Sequence, residues 1–487
     1  MEPAYFEREV EALSTALARR RYRHDAGLEA TLDLVNDYEG YERLCSPETF
    51  ERLDDTPIDP KQLRSLRRFV AEQFLESGAR ALTERVANFE TGTTVLWNGA
   101  PLPYRAAQVA QWTEPEQERR HELAELVLAE TARLTRPRLE RLSVVGGLVG
   151  ELGYRDMVSL WSELHGLALP TLNETAEQIL AASSSLYDQT LRDYLVHHQL
   201  AGDVWEVDLQ WIFLGAELER DYPSQRTVPS LYRTFRELGL ALEDQSNLRL
   251  DRAARPLKRQ APFCSPIAVP DEVIGVLLPL GGRRELDWLL EVVGLAEPFV
   301  QVDGTQPFAH RRLGDVAVGR GYGELFRALG RDPGWLRSRL EVDDPRDHLR
   351  LASFEALYRL RRAAAMFRFE QELHASEEPE SLGESYAEQL GGALSVRVAP
   401  EQYLSEVGEQ PIAAHALRGA MLGAQLSLFL RGEYDDEWSR SSRAGGFLLD
   451  RWREGLRYTA DEFAQFCGFD ALDPSPLLAE LRERLAV

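Results

Sequence analysis

Histidine pairs are the residues of this chain whose spacing comes nearest to metal-binding chemistry. His121 and Glu122 match the first half of the zinc-binding pattern H-E-x-x-H, but no second histidine follows four residues after His121. His197 and His198 are adjacent, so on a helix their side chains point about 100° apart, which suits joint metal binding poorly. We therefore interpret His121 as part of a charged helix face, and we expect one of the adjacent histidines to pack and the other to be solvated.

Other common catalytic patterns are also missing from the sequence. The Gly-rich run at residues 319–323 lies inside a helical pattern and lacks the Lys-Ser/Thr pair of a phosphate-binding loop. The chain contains no G-x-S-x-G nucleophile elbow. Cys264 has no evident histidine partner in the sequence, so we interpret it as a packed thiol and not as a nucleophile.

The composition argues against two classes of partner. The 487 residues carry a formal net charge of −24 and a pI near 4.9, with ordinary hydrophobic and charged fractions of 44% and 28%. Binding to nucleic acid or to an anionic membrane needs a basic surface, so we expect neither kind of partner. Almost all basic residues are arginine, with lysine only at Lys61 and Lys258, which we interpret as genomic bias in a bacterial-type sequence.

The sequence further predicts a cytoplasmic protein. Its first three residues begin no basic stretch followed by an apolar run, so no signal peptide is visible. No segment approaches the ~18 apolar residues that a membrane-spanning helix needs. Cys45, Cys264 and Cys467 are few, far apart and odd in number, which fits a reducing compartment better than a disulfide framework.

The elements that must position any site are mainly helical. Apolar residues recur at helical spacing over most of the chain, and only residues 247–280 have strand character. We predict a small sheet there, directly before helices at residues 285–299 and 315–329. The run from 221 to 229 is the best candidate boundary, which predicts an N-terminal helical lobe (1–220) followed by a second lobe (221–487).

Three local signals refine this prediction. Gly146 and Gly147 are expected to interrupt a helix, and residues 98–103 are expected to form a turn and an extended connection. Thr459 followed by Glu462 makes a capping box at the start of a helix.

An ordered series of short patterns begins at residue 262, where an extended stretch and a Gly-Gly turn lead into a helix. Its members are Phe263-Cys264-Ser265-Pro266, Val269-Pro270-Asp271-Glu272, Gly281-Gly282, Phe308, Arg311-Arg312-Leu313-Gly314-Asp315, Gly321-Tyr322, Ala413-Ala414, Leu417, Ala424-Gln425-Leu426, Gly446-Phe447-Leu448, Trp452, Gly455 and Tyr458-Thr459-Ala460. The series resembles the thimet oligopeptidase and oligoendopeptidase F family of zinc metallopeptidases over residues 247–485. The resemblance implies a mainly α, two-lobed, gluzincin-type fold with a small sheet before the active-site helix.

The same resemblance implies that the metal site is degenerate. In that family the helix after the Gly-Gly turn carries H-E-x-G-H, and a later helix supplies a Glu as third zinc ligand. In an ungapped match anchored on Gly294, Glu291 replaces the first histidine, Val292 the general-base Glu and Leu295 the second histidine. Arg320 takes the position of the ligand Glu. We therefore expect no catalytic residue, no cofactor and no bound zinc.

Other positions near the implied cleft do not restore the chemistry. His310, Tyr322 and His415 are candidates for lining the cleft, but the two histidines do not rebuild a ligand set at sensible spacing. Ile412 and Ala416 stand where the family tends to carry tyrosines that help to polarise the substrate.

The charged residues at two of the replaced positions predict an ion pair that links the two helices in place of the metal. A lone buried charge is very costly, whereas a paired one is tolerable. We therefore predict that Arg320 and Glu291 form an ion pair where zinc would otherwise join the two helices.

The sequence favours a catalytically inactive relative of these oligopeptidases, which binds peptides or scaffolds and regulates a protein partner. The strand at residues 273–278 is expected to be an edge strand on which a peptide docks by β-augmentation. Two alternatives stay open: an active metallopeptidase with an atypical metal site, and a different enzymatic activity on the same scaffold.

Overall fold

A computed structural model describes residues 3–486 of the chain. Met1 and Glu2, on which the expectation about a signal peptide depends, lie outside the described residues, as does Val487. About 68% of the chain is helical and the sheets are small, which confirms the predicted mainly α, gluzincin-type fold class. Among the described helices, none combines the length and the apolar character needed to cross a membrane.

The N-terminal half of the chain is a succession of helices with one hairpin. Its helices are α1 (Pro3–Asp25), α2 (Val35–Tyr38), α3 (Pro47–Arg52), α4 (Pro60–Gly92), α5 (Tyr104–Thr113), α6 (Gln117–Arg133), α7 (Thr135–Glu151), α8 (Met157–Leu164), α9 (Leu169–His197), α10 (Glu206–Ile212) and α11 (Ser224–Glu237). Strands β1 (Thr94–Trp97) and β2 (Ala100–Pro103) form an antiparallel hairpin. The prediction that strands occur only at residues 247–280 is therefore wrong, because the turn after Trp97 pairs the two flanking segments.

The C-terminal half opens with a three-stranded sheet and is otherwise helical. The strands are β3 (Leu248–Asp251), β4 (Phe263–Ala268) and β5 (Glu272–Val276). The helices are α12 (Gly282–Val300), α13 (Phe308–Arg312), α14 (Val316–Arg327), α15 (Pro333–Leu340), α16 (Arg346–Ala375), α17 (Gly383–Leu394), α18 (Ile412–Tyr434), α19 (Ser442–Arg453), α20 (Ala460–Phe466) and α21 (Ser475–Leu485). The predicted sheet and the two helices after it are confirmed.

The strand order β3-β5-β4 places β5 in the middle of the sheet. It pairs in parallel with β3 and antiparallel with β4, so its backbone groups are used on both sides. The expectation that residues 273–278 form an edge strand is therefore wrong, because the edges of the sheet are β3 and β4. Tyr22 of α1 and Ala26, which follows that helix, cover one face of the sheet, while Ala296 and Val300 of α12 pack on the other.

Glycines allow α14 to pack closely between α12 and α18. A Cβ at Gly294 would lie 2.6 Å from the carbonyl oxygen of Tyr322, so α12 touches the backbone of α14. On the opposite side of α14, a Cβ at Gly321 would lie 2.8 Å from Leu422, and one at Gly419 would lie 2.6 Å from the Cβ of Arg320. Larger residues at these positions would push the three helices apart.

Several local predictions can be compared with these elements. The capping box of Thr459 and Glu462 is confirmed, because each side chain bonds to the other residue's backbone N–H. The expected break at Gly146 is wrong, since α7 runs through it. A helix also occupies most of the predicted boundary at 221–229, and one hydrophobic core extends from Phe6 to Leu485 across that boundary. The division into lobes at residue 220 stays a prediction.

The burial of Glu297 on α12 predicts that this residue makes the stability of the protein depend on pH. Burial raises the pKa of this carboxyl to about 7, against the opposing hydrogen bond from Gln301 Nε2 at 3.1 Å. Because the folded-state pKa of Glu297 lies above the unfolded value of 4.5, the contribution of Glu297 to the free energy of unfolding is most favourable at low pH. It falls as the pH rises from the unfolded to the folded pKa, and it then stays constant.

We expect Glu297→Gln to stabilise the protein by roughly 3 kcal/mol above about pH 8 and to change little below about pH 4. Urea unfolding at both pH values measures the difference, with Glu219→Gln at an exposed position as control. A gain that does not depend on pH would show that Glu297 is ionised in the folded protein.

Candidate functional site

Three of the four predicted replacement positions, Glu291, Val292 and Leu295, lie on α12, whereas Arg320 lies on α14 with its Cβ next to Gly419 of α18. Val292 is completely buried against the sheet, where a Cβ on Gly275 would lie 2.3 Å from its Cγ1. Leu295 packs on α14, so that a Cβ at Gly323 would lie 3.0 Å from its Cγ. The space beside these two side chains is therefore filled by direct contacts of α12 with the sheet and with α14.

Glu291 forms the predicted kind of ion pair, but with a different arginine. Its Oε2 accepts a hydrogen bond from Nη1 of Arg327, and Nη2 of Arg359 lies 3.8 Å from its Oε1. The predicted Arg320–Glu291 pair is thus wrong. α12 and α14 run so that position 291 faces position 327, two turns beyond Arg320. Burial opposes ionisation of Glu291, but Arg327 and Arg359 outweigh it and lower its pKa.

This pair belongs to a larger set of charges, which we call the interface network. It joins α12, α14 and α16 and consists of Arg283, Arg284, Asp287, Glu291, Glu324, Arg327, Glu355 and Arg359. Glu355 is its centre, because Arg283, Arg284 and Arg327 all contact its carboxylate. Burial opposes ionisation of Glu355, yet the three guanidinium groups hold its pKa far below the usual range.

Sequence reasoning missed most of this network, although a signal was present. Arg283, Asp287 and Glu291 follow one another at intervals of four and therefore share one face of α12. Arg320 and Arg327 lie seven residues apart on one face of α14. The contribution of Glu355 could not be read from the sequence, because it comes from α16.

The residues at the replaced positions do not fit a zinc ion. Zinc takes nitrogen, sulfur or carboxylate ligands, with two histidines one helical turn apart in sites of this kind. Glu291 is the only replaced position that offers a carboxylate, and the Arg327 guanidinium engages it. Valine and leucine offer no ligand atom, and Arg320 adds a positive charge that repels a cation.

Within residues 3–486, one group of three metal-ligand side chains does come together, at a different place. His197, His198 and Glu217 bring one ligand atom each within 4.8 Å of one another at the end of α9. The sequence did not show the contribution of Glu217. As expected for an adjacent pair, His198 packs against Trp211 while His197 is exposed.

His121 stacks on Trp205, and its Nε2 lies 2.8 Å from Asp208.

The three candidate cleft residues have different environments. Tyr322 is buried among Trp452 and Phe463, with ring centroids 5.6 and 5.7 Å away, so its assignment to the cleft is wrong. The close helix packing that these glycines permit also places the Tyr322 side chain in the hydrophobic core. His310 is buried on α13, with Nε2 3.7 Å from Asp59. His415 is buried in the first turn of α18.

His415 forms a contact with His165 that the sequence did not reveal. The Nε2 of His415 lies 3.1 Å from the Nδ1 of His165, which follows α8. Glu72 lies 3.6 Å beyond His165, and Asp315 lies 3.9 Å beyond His415. Burial lowers the pKa of both imidazoles well below the usual value, so both are neutral at pH 7. The pair joins the N-terminal helices to α18.

The outer edge of β4 offers backbone groups for a further strand. The N–H groups of Val273 and Leu277 donate hydrogen bonds to β3 or to the residue just before it. Successive residues of a central strand bond alternately to its two neighbours, so the residues of β5 between these positions bond to Phe263 and Ser265 of β4. Cys264 and Pro266 therefore point their backbone groups away from the sheet. Pro266 already accepts a hydrogen bond from Arg312 Nε at 3.2 Å, which leaves Cys264 as the free position.

The side chain of Cys264 has a structural role. It is a free thiol that packs with Val273 and Ala296, and burial raises its pKa to about 12. The interpretation of Cys264 as a packed thiol is thus confirmed, because the thiolate that a nucleophile needs is strongly disfavoured at neutral pH.

The Arg327–Glu291 contact predicts a large loss of stability when one partner is removed. The side chains of Arg327 and Glu291 are only 9% and 16% exposed, so Arg327→Ala leaves buried carboxylates short of a counter-charge. We expect a loss of about 3–5 kcal/mol in the free energy of unfolding, measured by urea denaturation. The double variant Arg327→Met, Glu291→Leu should recover much of it.

The exposed pair of Arg397 and Asp203 provides a matched control, because both side chains are more than half exposed. Arg397→Ala should cost no more than about 1 kcal/mol. Equal losses for Arg327→Ala and Arg397→Ala would contradict the structural role assigned to the interface network.

Comparison with known proteins places this geometry in a known fold. No protein-family model and no curated protein sequence matches the chain. Among solved structures, the chain resembles the M32 carboxypeptidase from Deinococcus radiodurans R1 with a TM-score of 0.59 and 16% identity, over 100% of this chain and 99% of that one.

Two further structures match over almost the whole chain. For PZ peptidase A in complex with an inhibitor, the TM-score is 0.62 at 12% identity, over 96% of this chain and 86% of that one. For a protein described as oligoendopeptidase F from Bacillus anthracis str. Ames, the values are 0.56 and 12%, over 99% and 84%. At such low identity the likeness concerns the fold, and it confirms at that level the resemblance found in the sequence. The chain has the metallopeptidase fold shared by these carboxypeptidases and oligopeptidases.

Proposed function

We propose that this protein is a catalytically inactive member of the metallopeptidase fold that binds peptides and presents them to, or withholds them from, a partner. The observation that carries the proposal is the direct bonding of α12 to α14 at the former ligand positions. Glu291 is engaged by Arg327, and Leu295 packs on Gly323. Hydrolysis of a peptide bond on this scaffold would need a metal-bound water and a general base, and these positions supply neither.

The environment of the nearest histidines supports the same conclusion. Burial lowers the pKa of His415 and of His165 well below the usual value, which makes both imidazoles weak bases, and the two rings contact each other. Position 292, which carries the general base in the resembling family, is a valine buried against Gly275. Because α12 packs directly on the sheet here, we do not expect a substitution of Val292 alone to admit water.

Binding of an extended peptide is supported by the edge of β4. A peptide strand that pairs with β4 would exchange hydrogen bonds with the outward N–H and C=O of Cys264. Arg312, which holds the Pro266 carbonyl, would lie beside that strand. The sheet is supported on both faces by α1 and α12, so its edge is a rigid docking element.

The test combines metal analysis with peptide binding. We expect the purified protein to hold far less than one zinc per chain and to return bound peptides intact, with or without a chelator. Stoichiometric zinc together with chelator-sensitive cleavage would overturn the proposal and favour an active peptidase with an atypical metal site.

Hydrogen exchange locates the docking element. On addition of a bound peptide, the Cys264 amide should gain protection, because it is the outward N–H of β4. The amides of Val273 and Leu277 serve as internal controls, since both are bonded without a peptide. Protection that excludes residues 263–268 would place the peptide elsewhere.

A further inference from the structure

His197 is the one fully exposed histidine among the nine of this chain, all of which lie in the described residues. It is the last residue of α9, and His198 follows it as the residue that caps the helix. The centroids of the two imidazole rings lie 4.8 Å apart, with the ring planes at 88° to each other. The two rings are therefore close enough to approach the same ion at the end of the helix.

Glu217 reaches the same place from a separate segment of the chain. It lies in a 3₁₀ turn at Ala216–Asp221, which begins after Gly215 in the left-handed conformation with φ of 65°. The Oε1 of Glu217 lies 3.8 Å from the Nε2 of His198. One potential ligand atom of each of the three residues lies within 4.8 Å of the other two. Two imidazoles and a carboxylate thus converge from two segments.

The imidazole of His198 is held in a fixed position, and its Nε2 is available to a ligand. The ring stacks on Tyr194 at 6.1 Å and meets Trp211 edge-on at 5.1 Å. Its side chain is only 11% exposed, and within the described residues its buried Nε2 has no hydrogen-bond partner. An unsatisfied buried nitrogen costs free energy, which coordination of an ion by this atom would recover.

The spacing fits a metal ion after small movements of two side chains. A tetrahedral ion with bonds of about 2.1 Å holds its ligand atoms about 3.4 Å apart. The separation of 3.8 Å between His198 and Glu217 is close to this value. Because the side chains of His197 and Glu217 are exposed, they can rotate to close the remaining gap around the fixed His198 ring.

We propose that His197, His198 and Glu217 bind a divalent transition-metal ion such as Zn²⁺, with water completing the coordination. Two imidazoles favour such an ion over Mg²⁺ and Ca²⁺, which prefer oxygen ligands. The bound ion joins the end of α9 to the turn at residues 216–221. None of the three residues is one of the replaced positions, and the site does not depend on peptide binding.

The exposure of the site limits its affinity. It offers three protein ligands, two of them on exposed side chains, whereas structural zinc sites are closed by four. We therefore expect a micromolar Kd and exchange of the ion with the solvent. Protein kept in metal-free buffer should carry little zinc, in agreement with the low zinc content expected for the purified protein.

Calorimetric titration of Zn²⁺ into the metal-free, untagged full-length protein tests the site. We expect one Zn²⁺ per chain, and a Kd that His197→Ala and Glu217→Gln each raise about tenfold or more, because each removes a ligand. Both side chains are exposed, so these variants keep the packing that His198 makes with Trp211. Glu219→Gln removes another exposed carboxylate from the same turn and should bind Zn²⁺ like the wild type.

Thermal unfolding gives an independent measurement. Zn²⁺ at about 100 times its Kd should raise the Tm of the wild type by about 2 °C, because the ion binds the folded state. The same concentration of Mg²⁺ should have no such effect, and Zn²⁺ should not stabilise His197→Ala.

The possible outcomes separate this site from weaker forms of metal binding. Zn²⁺ affinity that neither substitution changes would overturn the proposal. A loss for His197→Ala without one for Glu217→Gln would show that a single surface histidine holds an adventitious ion, which also overturns it. An equal rise of Tm with Mg²⁺ would indicate general binding of cations by a protein of net charge −24, with the same consequence.

The proposed function can fail independently of the site. Zinc binding that requires His197 and Glu217, with added peptides returned intact, would support the site and leave the proposed function unchanged. Peptide cleavage by the zinc-loaded protein would overturn the proposed function and would still support the site, provided that both substitutions weaken binding.

Discussion

The packing of α14 between α12 and α18 is the constraint on which the rest of the structure depends. Gly294, Gly321 and Gly419 let the three helices pack so closely that even a methyl side chain would not fit at these positions. At that distance the side chains between the helices have little freedom. Position 291 must face position 327, and position 295 must face position 323, so Glu291 and Leu295 meet α14 directly.

The interface network shows how a fold can keep a junction between helices with different chemistry. In zinc sites of the H-E-x-x-H type, one cation draws ligands from two helices. Here Arg327 and Glu355 perform a comparable cross-link between α12, α14 and α16 with hydrogen-bonded charges. Such a network stabilises only while every member is paired, because the cost of burying a charge is recovered through its partners.

Apolar packing and polar satisfaction are uneven in this protein. The sheet is covered on its two faces by side chains of α1 and α12. His165 and His415 contact each other, but within the described residues the Nε2 of His165 and the Nδ1 of His415 have no hydrogen-bond partner. Natural proteins commonly accept such local costs at functional sites.

The sequence by itself determined the secondary structure around the site. The Gly-Gly turn before α12, the capping box of α20 and the helical spacing of α14 are local properties of neighbouring residues, and they could be predicted. The absence of histidine from positions 291, 292 and 295 was likewise visible in the letters alone. Only the tertiary structure decided which charges meet. Glu291 pairs with Arg327 and not with Arg320, because the direction and depth of helix packing set the register between α12 and α14. The strand order that places β5 in the centre of the sheet also depends on contacts between distant segments, whose geometry no local pattern specifies.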